Sequence, residues 1–141
     1  MKEFFDTSVL IAAFWGGHVH HQPSLRRFAS ARKQDAACST HTLAEVYAGM
    51  TVLPVKPMIP PEQALLFAEE IRSRLTLVGL SGEEVFDTVR SAAARGIAGG
   101  RIYDALIVRA AAKAKAEAIY TWNLKHFRAI APEMTGRIRT P

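Results

Sequence analysis

A chain of 141 residues with 49% hydrophobic and 22% charged residues has the make-up of an ordinary globular protein, which excludes a disordered or fibrous one. Its longest uncharged apolar stretch, Val9 to Trp15, is too short to cross a bilayer, and no basic leader with an apolar core and cleavage site opens the chain, so neither a membrane nor an exported location is expected. The net charge of +5 sits in residues 101–141, which hold 8 Lys/Arg against 3 Asp/Glu, while residues 1–100 hold 10 of each.

The elements follow a strand–helix alternation. Met1-Lys-Glu-Phe-Phe runs into Asp6, Thr7 and Ser8, so a strand over Glu3–Asp6 precedes a helix over Ser8–Phe14, which Gly16-Gly17 ends. A helix over His21–Lys33 follows, with Pro23 in its opening turn, where proline is tolerated. Ala36–Ser39 reads as a strand and contains the single Cys38, which rules out an internal disulfide, suits a reducing cytoplasm and reads as a small buried residue. A helix over His41–Thr51 leads to the stiff connector 54–61, with Pro54, Pro57, Pro60 and Pro61, too short to link domains. Then come helix Pro61–Arg72, strand Leu75–Gly79, helices Gly82–Ala94 and Tyr103–Ala116, strand Ala118–Thr121, helix Leu124–Ile130 and a weak strand at Ile138–Thr140. Short apolar strands alternating with longer helices predict one α/β domain over 1–141, a three-layer αβα sandwich on a mostly parallel sheet.

Three acids far apart in the chain stand where such a fold turns strand into helix or covers a helix face. Asp6 closes the first strand, at the carboxyl edge where open α/β sheets bind ligands. Asp-Thr-Ser is also a good helix cap, and capping alone would explain Asp6. Asp104 projects opposite Arg109 and Lys113 on its helix, beside Ile107, Val108 and Ala111; an acid facing the core needs a partner, and the helix dipole, a cap or a bridge to Arg101 would each help. Glu45 lies opposite the apolar stripe Leu43, Val46, Tyr47 and Met50, among the small residues Ala44, Ala48 and Gly49, which suits either a cleft or a solvated face. Like charges ~4 Å apart repel by about 4 kcal/mol at an effective dielectric near 20, so convergence of all three requires a proton or cation. Oxygen ligands without paired cysteines or a spaced histidine pair point to Mg²⁺ or Mn²⁺, and a hard ion held by acids is the equipment of phosphodiester hydrolysis. The basic 101–141 region beside an acidic cleft suits a polyanion held by its backbone, though a solvated basic surface accounts for it as well.

Other groups read more blandly. His18, His20 and His21 are too close in sequence to surround one ion easily, and fit the approach to the next helix or a phosphate contact. Asp87, with Glu83 and Arg90 at helical spacing, suits a solvated face. Trp15 and Trp122 could stack on bases, but burial suits both. Gly99-Gly100 lacks a phosphate-loop context and instead eases the approach to Asp104.

Phe5-Asp6-Thr7-Ser8-Val9-Leu10, Thr42-Leu43-Ala44-Glu45-Val46-Tyr47, Gly99-Gly100-Arg101-Ile102-Tyr103-Asp104-Ala105-Leu106 and Thr121-Trp122-Asn123-Leu124-Lys125-His126-Phe127 together resemble the four successive motifs of PIN domains, and most nearly those of the VapC-type ribonuclease toxins. The resemblance implies a Mg²⁺- or Mn²⁺-dependent endoribonuclease in which Asp6 and Asp104 hold the metal and Glu45 completes the acidic cluster. It also implies substrate contacts from Arg101, Thr7 and Ser8, an RNA substrate, a VapB-type antitoxin partner and a homodimer. The last motif often carries a fourth acid; here Asn123 stands in its place, with His126 where a later Asp is frequent, so one well-held metal is expected. Asn123 would orient a water or phosphate oxygen. The alternatives are a catalytically weak PIN-fold RNA-binding or scaffold protein, and a DNA-directed flap nuclease of related fold.

Overall fold

The computed structural model describes residues 1–141. The chain runs β1 (Glu3–Phe5), α1 (Thr7–Phe14), α2 (His21–Ser30), β2 (Ala36–Ser39), α3 (Thr42–Thr51), α4 (Pro61–Arg74), β3 (Thr76–Val78), α5 (Gly82–Ala94), α6 (Arg101–Lys113), β4 (Ala118–Tyr120), α7 (Leu124–Ile130), a 3₁₀ turn (Pro132–Arg137) and β5 (Ile138–Arg139). The five strands form one sheet in the order β3-β2-β1-β4-β5, and every pairing is parallel, beyond the mostly parallel sheet expected.

Strand alternation divides the core into two layers. Phe5, Ala36, Cys38, Ala118 and Tyr120 face one side and pack with Val9, Leu10, Phe28, Val46, Met50 and Ile71 of α1–α4. Phe4, Ala37 and Ile119 face the other, against Ile107, Val108, Ala110, Phe127 and Ile130 of α6 and α7. Helices therefore cover both faces, the arrangement that buries an all-parallel sheet. β1 lies at the centre, paired with β2 through Phe5↔Cys38 and with β4 through Phe5↔Tyr120. After β1 the chain moves outward to β2 and β3 on one side, then returns across to β4 and β5 on the other. The order reverses between β1 and β4, and in open α/β sheets ligands bind in the crevice at the carboxyl ends of such strands.

Local signals explain most boundaries. Ser81 caps α5: its hydroxyl accepts from the Glu84 N–H at 3.1 Å, while Glu84 accepts from the Ser81 N–H at 2.9 Å. Helix α6 begins at Arg101, two residues before the expected Tyr103, because Gly99 takes a left-handed φ of +63° and lets the chain turn directly into the helix. Helix α2 stops at Ser30 rather than Lys33, since the chain there turns to deliver the Asp35 carbonyl to the N–H groups of Lys2 and Glu3.

Cys38 is fully buried in β2, and burial pushes its thiol up to about 12. The native protein therefore resists alkylation by iodoacetamide at pH 8, while protein unfolded in guanidinium reacts at one site; mass spectrometry of both states checks this.

Candidate active site

Asp6 occupies the N-cap position of α1 with extended backbone (φ −76°, ψ 153°), yet its side chain caps nothing. Its Oδ2 instead accepts two hydroxyl hydrogen bonds, from Ser8 Oγ at 2.6 Å and Thr121 Oγ1 at 2.8 Å. Asp6 follows β1 and Thr121 follows β4, so the second bond crosses the point where the strand order reverses. Ser8 Oγ also accepts the Trp122 N–H at 3.1 Å, and Thr121 Oγ1 accepts the Asn123 N–H at 2.9 Å. Capping alone does not account for Asp6, since the Thr121 hydroxyl bonds it from outside the helix. The carboxylate is 2% exposed; burial raises its pKa, the Ser8 and Thr121 hydroxyls pull it back, and the charge of Glu45 raises it further.

Helix α6 brings Asp104 to the same cleft. Its carboxyl is pushed up to about 6, first by burial and then by the charge of Asp6; Glu45 adds to the rise, and His126 and Arg101 oppose it. Arg101 acts on Asp104 through its field and forms no ion pair with it. Glu45 enters from α3, where Thr7 Oγ1 donates to its Oε1 at 3.1 Å. The apolar stripe expected on α3 is narrower than periodicity suggests: Val46 and Met50 are buried, whereas Tyr47 is 40% exposed. Three acids from three elements thus share one electrostatic site. They are held apart, however: no three His, Cys, Asp or Glu side chains stand close enough together to grip an ion on their own.

The donor set matches a hard cation. Carboxylates of Asp6, Asp104 and Glu45, with neighbouring hydroxyls of Thr7, Ser8 and Thr121, offer oxygen only, and Mg²⁺ characteristically keeps several waters while taking one or two carboxylates. Ser8 and Thr7 are committed to fixing Asp6 and Glu45, which makes them positioning groups. Asn123 is exposed at the start of α7, and its side chain makes no hydrogen bond within the chain. Thr121, His41 and Tyr103 are the residues that sequence reasoning passed over. The first two act through contacts between separate elements or with a strand end, and Tyr103 is marked only by being an aromatic 55% exposed beside Asp104.

The histidines after α1 are absorbed in packing. His20 stacks on Trp122 (centroids 3.7 Å, interplanar 7°), His18 Nδ1 accepts the His20 N–H, and His21 Nδ1 donates to the Ala12 carbonyl. Trp122 donates its indole N–H to Ser24, and Asp87 pairs with Arg90 on an exposed face as expected.

Thr121→Val keeps the shape of the side chain while removing a donor to the buried Asp6 carboxylate. The expected loss is about 2 kcal/mol, the scale of a hydrogen bond to a charged group, read as a lower midpoint in urea at pH 7.5.

Comparison with known proteins locates this geometry among relatives. The PIN domain profile matches residues 4–131. Ribonuclease VapC27 of Mycobacterium tuberculosis (strain ATCC 25618 / H37Rv) is 34% identical over 113 residues, 79% of this chain and 78% of that protein. Among solved structures, Mycobacterium tuberculosis VapC20, a Sarcin-Ricin loop cleaving toxin, superposes with a TM-score of 0.74 at 17% identity, over 91% of this chain and 95% of its own. VapBC of Salmonella typhimurium, bound to DNA, gives 0.65 at 22% identity over 100% and 97%. VapBC2 of Rickettsia felis, bound to a DNA fragment from its promoter, gives 0.61 at 23% over 91% and 92%.

Proposed function

This chain belongs to the PIN domain family, and on that premise we propose that it is a VapC-type endoribonuclease, the toxic member of a toxin–antitoxin pair, which hydrolyses RNA with the help of Mg²⁺ or Mn²⁺. The observation that carries the reading is the Asp6 carboxylate, buried and tied by Ser8 and Thr121 across the sheet's reversal point, in the field of Asp104 and Glu45. A buried, mutually repelling acid group of this kind costs stability and is maintained where it serves chemistry.

Asp6 and Asp104 would hold the ion, with Glu45 completing the cluster. When bound, it supplies a water of lowered pKa and neutralises charge on the phosphate. Thr7 holds Glu45 where it accepts the proton of the attacking water. Arg101, exposed at the start of α6, offsets charge on the phosphate, and Asn123, exposed at the start of α7, orients a water or phosphate oxygen. The water oxygen bonds to phosphorus as the bond to the 3′ oxygen breaks, leaving a 5′-phosphate and a 3′-hydroxyl. Residues 1–141 act as one PIN-like unit, assembled as a homodimer with a VapB-type antitoxin, and an RNA substrate sets its work in the cytoplasm.

Incubation of purified protein with single-stranded RNA and Mn²⁺, followed by sequencing of the ends, tests the activity; uncut RNA, or products ending in 2′,3′-cyclic phosphate, would count against it. The pH dependence follows from Asp104. Its folded carboxyl titrates near about 6, so protons compete for it as pH falls from 7.5 to 5. Cleavage and Mn²⁺ uptake are expected to decline together across that window, with proton release on Mn²⁺ binding at pH 6, measured by calorimetry in buffers of different ionisation enthalpy. Uptake equal at pH 7.5 and 5 would remove Asp104 from the ligand set.

A further inference from the structure

Beside the acid cluster, and sharing Glu45 with it, lies a cleft of about 510 Å³, within the range of small-molecule sites. Val78, Leu80, Val85 and Leu106 give it apolar walls, with Ser39, Thr40, His41 and Glu45 along one side. Tyr103, the residue before Asp104, stands at the mouth with its side chain largely in solvent. Polar atoms are few and fixed: buried Ser39 meets His41 Nδ1 at 2.7 Å. The other ring nitrogen of His41 is buried 3.2 Å from Glu45 Oε1, so neither ring nitrogen is open to the cleft.

We propose that this cleft receives an unpaired nucleobase of the RNA next to the phosphate being cut, with Tyr103 as its stacking face. The inference rests on the ribonuclease reading above and adds to it a base subsite. A flat, apolar-faced ligand with a polar rim suits these walls, and splayed single-stranded bases are recognised by aromatic stacking combined with edge hydrogen bonds. An aliphatic side chain would fill the apolar volume as well, but would leave the exposed Tyr103 ring, next to Asp104, without a stacking partner. Because Glu45 borders both spaces, a base seated here holds the adjoining phosphate against the acids, so its binding contributes to orientation at the reacting bond.

The test uses Val85→Trp, which fills the cleft from α5, and Tyr103→Ala, which removes the stacking face; both positions are part-exposed, and thermal melts verify folding. Each is assayed on an RNA with a mapped cut and on copies made abasic one nucleotide before or after it. The wild-type protein is expected to lose about 10- to 100-fold in kcat/KM on one abasic copy, as removal of a base stack implies. The variants should show that loss already on intact RNA, with no further loss on the abasic copy. A second arm does not depend on cleavage: in EDTA, an unstructured RNA carrying 2-aminopurine should lose fluorescence on binding the wild-type chain and not Tyr103→Ala. Equal rates on intact and abasic RNA, or unchanged discrimination in both variants, overturn the base subsite. So does a quench that survives Tyr103→Ala, or variants that fail only in capturing the antitoxin, which would give the cleft to a protein side chain. If the wild-type protein cuts no RNA, the ribonuclease reading fails, and the fluorescence arm alone then decides the cleft.

Discussion

Asp104→Asn is expected to lower metal-dependent RNA cleavage by about a thousandfold and, in EDTA at pH 7.5, to melt at a higher temperature than the natural chain. The activity loss follows from withdrawing a ligand whose ion stabilises transition-state charge by several kcal/mol, at 1.36 kcal/mol for each factor of ten. The stability gain has the opposite sign and the same origin. Asp104 ionises in the fold only near about 6, above its ordinary 3.8, so between those values the folded chain binds a proton that the unfolded chain has released. Stability contributed by this group therefore falls as pH rises through that window, and at pH 7.5 the whole deficit is present. Asparagine removes it. After discounting for partial exposure to solvent the gain is about 1 kcal/mol, a few degrees in Tm for a chain of this size. Melts at pH 4 should show the advantage gone. An inactive variant that melts lower at every pH would show that Asp104 holds the fold together instead.

Phe5→Ala is expected to cost about 3–5 kcal/mol, the scale of removing a buried aromatic, against a total stability of about 5–15 kcal/mol for a domain. Phe5 is fully buried in the central strand, edge-on to Phe28 (6.3 Å, 85°) and 5.8 Å from Tyr120. No neighbour can collapse into the gap without disturbing β1, which is bonded to β2 and β4 on either side. Because Asp6 is the next residue, the loss should also loosen the site. Urea unfolding at 25 °C measures the first effect; a loss under 1 kcal/mol would contradict the packing described.

What the amino-acid sequence disclosed depended on the range of the interaction involved. Strand β2 and helices α5 and α7 begin and end where periodicity and punctuation put them, because their signals are local: Ser81 and Glu84 form a capping box three residues apart, and Leu124 to Ile130 keeps an apolar face. The 3₁₀ turn Pro132–Arg137 escaped notice, since six residues containing Pro132 and Gly136 offer no period to read. The acids Asp6, Glu45 and Asp104 were recognisable through their motifs, yet their supports were less so. Thr121 opens the fourth motif, but its bond to Asp6, 115 positions away, leaves no local mark in the sequence. Tyr47 shows the converse error: periodicity placed it in the core, but α3 turns that side toward solvent.

The placement of β1 has a consequence for biogenesis. The central strand β1 is made well before its partner β4, which lies at residues 118–120. Since Thr121 is the group that latches Asp6, a nascent chain stalled before that codon carries the acid without its anchor and with one edge of β1 unpaired. Long-range parallel pairing of this kind closes late and slowly. The Asp6 carboxylate therefore reaches its final setting only after Thr121 has been added to the chain.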